Sequence, residues 1–245
     1  MTSVKPPSGK DQTMNHGDIK LTAESVESIG DKRASAVETV KTAAKKLFRG
    51  ARGSHDWEHT LRVCNLCERI GRTEGVDMEV LLIAAYLHDI GRCYQDASDG
   101  VVCHAKKGAR MAWPIIRKLP LTEGQKKNIL HCIQAHRFRG NAGPVTPEAK
   151  VLFDADKIDS IGAVGVARAF LFAGEVGARL HNPEINIEEA APYSRDDTGF
   201  REYRVKLRKI KDRILTTEGK RLADERHDFM KKFFERFLEE YEGKR

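Results

Sequence analysis

Of the 245 residues, only 20 are glycine and 8 proline, too few for a fibrous or low-complexity chain. No apolar run approaches the ~20 residues needed to cross a bilayer, so no membrane partner is expected. The opening stretch, MTSVKPPSGKDQTMNHGDIK, lacks the apolar segment of a secretory signal, so a cytoplasmic location is expected; Met14 is a second candidate start. Cysteine is scarce and odd in number, five in all, which reads as reduced thiols rather than a disulfide frame. Aromatic residues make up 7%, and no arginine-rich run alternates with them. Nucleic acid is therefore not expected as the main partner, despite a formal net charge of +7. Such a surplus suits a surface that draws in an anionic, phosphate-bearing small molecule. Alternating strand-type runs and internal repeats are also missing.

What is present is helical pattern. With 40% hydrophobic and 32% charged content, the chain can bury a substantial core as one all-α domain. Residues 1–30 read as a disordered polar leader, and residues 31–243 as the domain. A first helix is expected from Ala36 to Phe48, ended by Arg49-Gly50-Ala51-Arg52-Gly53. Ser54 or Asp56 can cap a second helix from Trp57 to about Thr73, and Asp77 a third that stops at Gly91. A loop from Cys93 to Val102, holding Asp96 and Asp99, leads to a fourth helix from about His104 to Leu119, bent or broken near Pro114. Thr122-Glu123-Gly124-Gln125 matches a capping box for a fifth helix ending near His136. Thr146-Pro147 starts a sixth, expected to reach Phe172. Residues 174–198 are loop-rich, and two amphipathic helices, Phe200 to Leu215 and Glu218 to Tyr241, form a C-terminal extension over 199–241. Phe229, Phe233, Phe234 and Phe237 on the last helix, with Trp57 and Trp113, are core material or a surface through which a homodimer would form.

The chain is organised around LLIAAYLHDIGR, Leu81 to Arg92. Met78, Leu81, Leu82 and Ala85 recur at helical spacing, and His88 and Asp89 come next on that face, aimed at the core. An isolated His-Asp pair at a helix end is ordinarily a capped histidine. Here three core-facing stripes end in ligand-type residues: His59 beside Val63, His88-Asp89, and His136 after Ile129, Cys132 and Ile133. Asp156 is a fourth arrival if Ala149, Leu152, Phe153, Ser160 and Ala163 define the inner face of the sixth helix. Asp154 shares another apolar face with Val151, Ile158 and Ile161, so periodicity leaves the two open. His131 falls on the wet face. Cys64 and Cys67 form a CxxC within a helix without a second pair, which reads as two packed thiols. Buried imidazoles beside carboxylates need a partner, and two of each suit a divalent ion of intermediate hardness: manganese, iron, cobalt, nickel or zinc.

Those residues resemble the HD-domain metal-dependent phosphohydrolases, helical bundles with a metal site in the core. The likeness runs from about His55 to Arg168, through HDWEHTLRV, LHDIG and DADKID, and looks closest to a small stand-alone, YedJ-type branch. That branch repeats IxxHxF, TPEAKVxxDADxxDxxGAxGxAR and TxxGKxLA, found here as IQAHRF, TPEAKVLFDADKIDSIGAVGVAR and TTEGKRLA. The resemblance implies His59, His88, Asp89 and Asp156 as ligands of one ion, and His104 and His136 as ligands of a second or as outer donors. His88, Asp89 and Lys157 would serve catalysis, with Lys157 and Arg92 binding phosphate. Lys107, Arg137, Glu58 and His55 lie near the motifs without an assigned role. Arg137 follows His136 and no Gly-Tyr-Pro occurs, which sets aside cyclic dinucleotides.

The expected reaction is hydrolysis of a phosphoester, in a nucleotide or related metabolite, by metal-activated water, with no organic cofactor. The same scaffold could serve a di-iron oxygenase, or a regulatory or nucleic-acid-binding module whose metal is structural.

Overall fold

In a computed structural model, residues 36–48, 56–98, 100–137 and 143–245 are described. The leader, Arg49 to His55 and Asp99 lie outside them. The described residues form helices and turns and no strand.

After a helix over residues 36–47 (α1) come α2 (Trp57–Glu74), α3 (Met78–Leu87), the short α4 (Arg92–Asp96) and α5 (His104–Ile116). Then follow α6 (Glu123–Ala135), α7 (Pro147–Asp159), α8 (Gly162–Glu175), α9 (Gly199–Val205), two 3₁₀ turns and α10 (Thr217–Tyr241). Caps fall where the sequence places them. Asp56 accepts from the His59 amide at 2.9 Å, Asp77 caps α3, and Thr122 with Gln125 closes a capping box. No helix among the described residues is long and apolar enough to cross a membrane.

α3, MEVLLIAAYL, is apolar almost all round, and such a helix is stable only when surrounded. It packs against α2, α5, α6 and α7, and Leu81, Ile83, Ala84, Ala85 and Leu87 are fully buried. Cys64 and Cys67 are buried in this core, as expected for packed thiols. Trp57 stacks on Tyr86, whereas Trp113 and Phe229 are exposed and only Phe234 of the terminal phenylalanines is fully buried.

Five features differ from expectation. α3 ends at Leu87 with His88 as its C-cap, so His88 and Asp89 sit on the turn that leaves the helix. Part of the expected loop forms α4, and α5 stops at Ile116, short of Leu119. The sixth expected helix is two, broken at Ser160-Ile161. Gly162 has φ 78°, a left-handed conformation that glycine adopts without strain, and it redirects the chain into α8. The helix expected from Phe200 to Leu215 gives way after Val205 to the 3₁₀ turns.

Gly91 has a different reason to be glycine. A Cβ there would meet the His104 carbonyl oxygen at 2.4 Å and the Gly108 amide nitrogen at 2.6 Å. The missing side chain lets the turn after Asp89 press against the first turn of α5, which brings His104 to Asp89.

Candidate metal centre

Five ligand-type side chains converge where helices end. His59 comes from the first turn of α2, His88 and Asp89 from the end of α3, His104 from the start of α5, and His136 is the C-cap of α6. All five are at most 3% exposed. They fall into two overlapping triads, His59-His88-Asp89 and Asp89-His104-His136, within each of which the donor atoms lie within 4.8 Å of one another.

Asp89 divides its oxygens between them. Its Oδ2 lies 3.9 Å from His59 Nε2 and 3.8 Å from His88 Nε2, and its Oδ1 lies 3.3 Å from His104 Nε2 and 3.4 Å from His136 Nε2. The Nε2 atoms of His59 and His88 are 3.4 Å apart, those of His104 and His136 3.0 Å.

The opposite ring nitrogens fix the tautomers. His88 Nδ1 faces the Ala85 carbonyl and His136 Nδ1 the Ile133 carbonyl, each at 2.7 Å. A carbonyl only accepts, so both Nδ1 atoms carry hydrogen. His59 Nδ1 donates to Asp159 Oδ2 at 2.8 Å, and His104 Nδ1 lies 2.8 Å from Gln95 Oε1. With Nδ1 donating, a neutral ring turns its Nε2 lone pair to the centre. Facing lone pairs at 3.0 to 3.4 Å repel unless a proton or a metal cation lies between them. The donor set therefore fits a divalent ion: imidazole nitrogens with carboxylate oxygen, each imidazole held by an outer acceptor.

Electrostatics differ across the cluster. Burial pushes the His88 imidazole down to about 4. Burial also dominates at His104, with Arg92 and Arg137 adding to it, and its pKa falls to about 3. Burial opposes protonation of His59 too, but hydrogen bonds to Asp156 and Asp159 outweigh it and raise the pKa to about 9. In chelator-treated protein, stability is expected to fall as pH drops from about 6.5 toward about 4, because the unfolded chain takes up protons that folded His88 and His104 refuse. His59 acts in the opposite sense: its contribution is complete below 6.5 and lost as pH rises through about 9. Urea midpoints across this range, with chelator, check both; a flat profile below pH 6.5 would contradict the first.

Asp156 stands at the rim. Its Oδ1 is 3.4 Å from His59 Nε2, and its Oδ2 pairs with Lys157 Nζ at 2.6 Å. It joins the cluster through His59, whereas Asp154 turns away. Asp154 accepts from the Leu215 amide at 2.9 Å and the Thr216 amide and hydroxyl at 2.7 and 2.6 Å, tying α7 to the start of α10. A buried polar group left unpaired costs ~1–3 kcal/mol, so Asp154→Ala is expected to lower stability by about 3 kcal/mol while metal content stays unchanged. Urea unfolding beside metal analysis tests this; loss of metal would return Asp154 to the ligand set.

Of the remaining expected residues, Lys157 lies beside Asp156 and 3.5 Å from the His136 carbonyl, and Arg92 pairs with Asp96 at 3.3 Å. Arg92 and Arg137 lie close enough to His104 to depress its pKa. Lys107 instead sits over the Tyr94 ring at 4.2 Å, and His131 accepts from the Val145 amide, away from the cluster. Glu58 has no assigned role, and His55 lies outside the described residues.

Asp159 is missing from the expected set. It is 1% exposed and holds His59 while accepting from Arg62 at 2.7 and 3.2 Å and from Arg168 at 2.8 Å. Its position three residues after Asp156, on the same helix face, is the signal that could have found it.

Residues 56–161 match the HD domain family. Over 219 residues the chain is 29% identical to YpgQ of Bacillus subtilis, covering 86% of this chain and 97% of that protein. A crystal structure of YpgQ in complex with ADP is similar at TM-score 0.64 and 27% identity, covering 85% of this chain and 96% of that one. An HD-superfamily hydrolase of Bacillus thuringiensis is similar at TM-score 0.68 and 27% identity, covering 86% and 98%. Ribonuclease Y of Thermosipho melanesiensis is 28% identical over 123 residues, which is 50% of this chain and 22% of that longer protein. The histidine cluster thus lies within residues 56–161, the stretch that matches the HD domain family.

Proposed function

We propose that this chain is a metal-dependent phosphohydrolase acting on a nucleotide or related phosphoester. The observation that supports it most is the shared carboxylate: each oxygen of Asp89 faces one pair of imidazoles whose outer nitrogens already donate elsewhere. His59, His88, Asp89 and Asp156 would hold one ion, and Asp89, His104 and His136 a second. When bound, an ion of this kind lowers the pKa of a coordinated water, to about 7 in favourable cases, and polarises a phosphoryl oxygen.

The chain's own residues supply the rest. The cluster is buried, so a substrate meets it through the rim, where Asp156 is 13%, Lys157 20% and Arg92 25% exposed at their side chains. Lys157 and Arg92, with Arg137, are the cations placed to bind phosphate oxygens and neutralise charge that grows during hydrolysis. The buried setting of the cluster strengthens these interactions by excluding water. YpgQ, solved with ADP, supports a nucleotide-like ligand, and the ribonuclease relatives support chemistry at a phosphate ester.

The test has two parts. Metal content is measured on protein purified without added metals, and hydrolysis across a panel of nucleotides and generic phosphoesters is compared with a His88→Ala/Asp89→Ala variant. Bound transition metal and activity lost in the variant are expected. Equal hydrolysis by both proteins would remove the activity from this site.

A further inference from the structure

We propose that the cleft between α9, the 3₁₀ turns and α10 is a second binding site, for a small phosphate-bearing anion, separate from the histidine cluster. The cleft has a volume of about 440 Å³, within the ~300–1,000 Å³ range of small-molecule sites. Its walls come entirely from residues 200–238, past the HD-domain match, and include none of the five clustered ligands.

Its charge is the first argument. Arg204, Arg208, Lys209 and Lys231 line the cleft against two carboxylates, Asp212 and Glu235. Lys231 reaches Glu235 at 4.0 Å, whereas Arg204, Arg208 and Lys209 make no ion pair among the described residues. Elsewhere on α10, Arg221 pairs with Glu218 and Arg236 with Glu240, and Arg226 donates to the Ile158 carbonyl. These three cations, Arg204, Arg208 and Lys209, share one wall of the cleft, and an anion bound there is attracted by all of them. Arg204 and Arg208 stand four residues apart across the change from α9 to a 3₁₀ turn, and their fork-shaped guanidiniums suit phosphate oxygens.

The second argument comes from the opposite wall. His227 lines the cleft from α10, where its imidazole adds a further hydrogen-bonding group. The floor is aromatic: Tyr203 and Phe234, both buried, stack at 4.4 Å between ring centroids. Cations and imidazole are thus mounted on an aromatic base.

The probe is inorganic pyrophosphate, titrated calorimetrically into the full chain and into Asp89→Ala, Arg204→Glu/Arg208→Glu and the triple variant. Hydrogen exchange follows residues 200–213 and 227–238. Binding that survives Asp89→Ala, weakens at least tenfold on reversing the two arginines, and protects both segments is expected. Loss with Asp89→Ala alone would place the ligand in the histidine cluster and overturn the proposal, as would equal binding by Arg204→Glu/Arg208→Glu. If pyrophosphate fails to bind while RNA binds more tightly with increasing length, the cleft is part of a nucleic-acid surface, and this proposal falls too. Metal content of the arginine variant is expected to equal the parent's, so failure here leaves the phosphohydrolase reading untouched.

Discussion

Replacing Asp89 by alanine is expected to abolish metal binding and hydrolysis together, because this one carboxylate belongs to both triads. A ligand that binds only the folded chain stabilises it by about 2.7 kcal/mol when present at a hundred times its dissociation constant. For a chain of this size that is a rise in Tm of several degrees, taking ~2–4 °C per kcal/mol. Asp89→Ala should erase this metal-dependent rise, in addition to losing bound metal. Asp156→Ala offers the contrast. Asp156 lies on the His59 side of the cluster, so its loss should weaken one ion and leave the Asp89-His104-His136 triad intact. Thermal unfolding with and without added manganese or zinc, beside metal analysis, separates the two variants. A variant lacking Asp89 that still gains stability from metal would show that the histidines bind without it, and would refute the shared-carboxylate reading.

The parts of this site that could be read in the sequence are those that local pattern determines. α3 announces itself as an apolar helix, and His88-Asp89 follows directly from its stripe. His59 and His136 are found by the same arithmetic, one near the start and one at the end of an amphipathic helix. Pattern fails where both faces of a helix are buried. α7 packs against α2, α3, α6 and α10, so apolar residues surround both Asp154 and Asp156 and periodicity cannot rank them. What distinguishes them is the tie from Asp154 to Thr216, a contact 62 residues away. The break between α7 and α8 was similarly hidden, because Ser160-Ile161-Gly162 sits inside a run of helix-compatible small and apolar residues. The role of Asp159 depends on a histidine 100 residues earlier, and only the folded topology brings them together.

That long-range contact carries the second large effect. Asp159 receives His59 Nδ1, the Arg62 fork and Arg168, so its carboxylate pKa is held down to about 2 against the opposing effect of burial, and the group stays charged. Removing one partner of a buried charge network costs about 3–5 kcal/mol. Arg62 is 33% and Arg168 20% exposed at their side chains, so water repairs part of the damage, and Asp159→Ala is expected near the lower end of that range. Asp159→Asn keeps an oxygen for His59 but loses the charge that holds the arginines and the ring. Removing an outer partner of a metal-binding histidine typically lowers metal affinity roughly 10–100-fold, and the asparagine variant should fall within that span. Competition with a chromophoric chelator measures the affinity, and urea unfolding in excess chelator measures the stability without metal. If Asp159 merely ties helices together, both variants lose stability and bind metal as tightly as the parent. If it orients His59, metal affinity drops even in the asparagine variant, whose fold is better preserved. The buried 2.8 Å contact to His59 Nδ1 favours the second outcome, because it fixes which nitrogen of that ring is free to face Asp89.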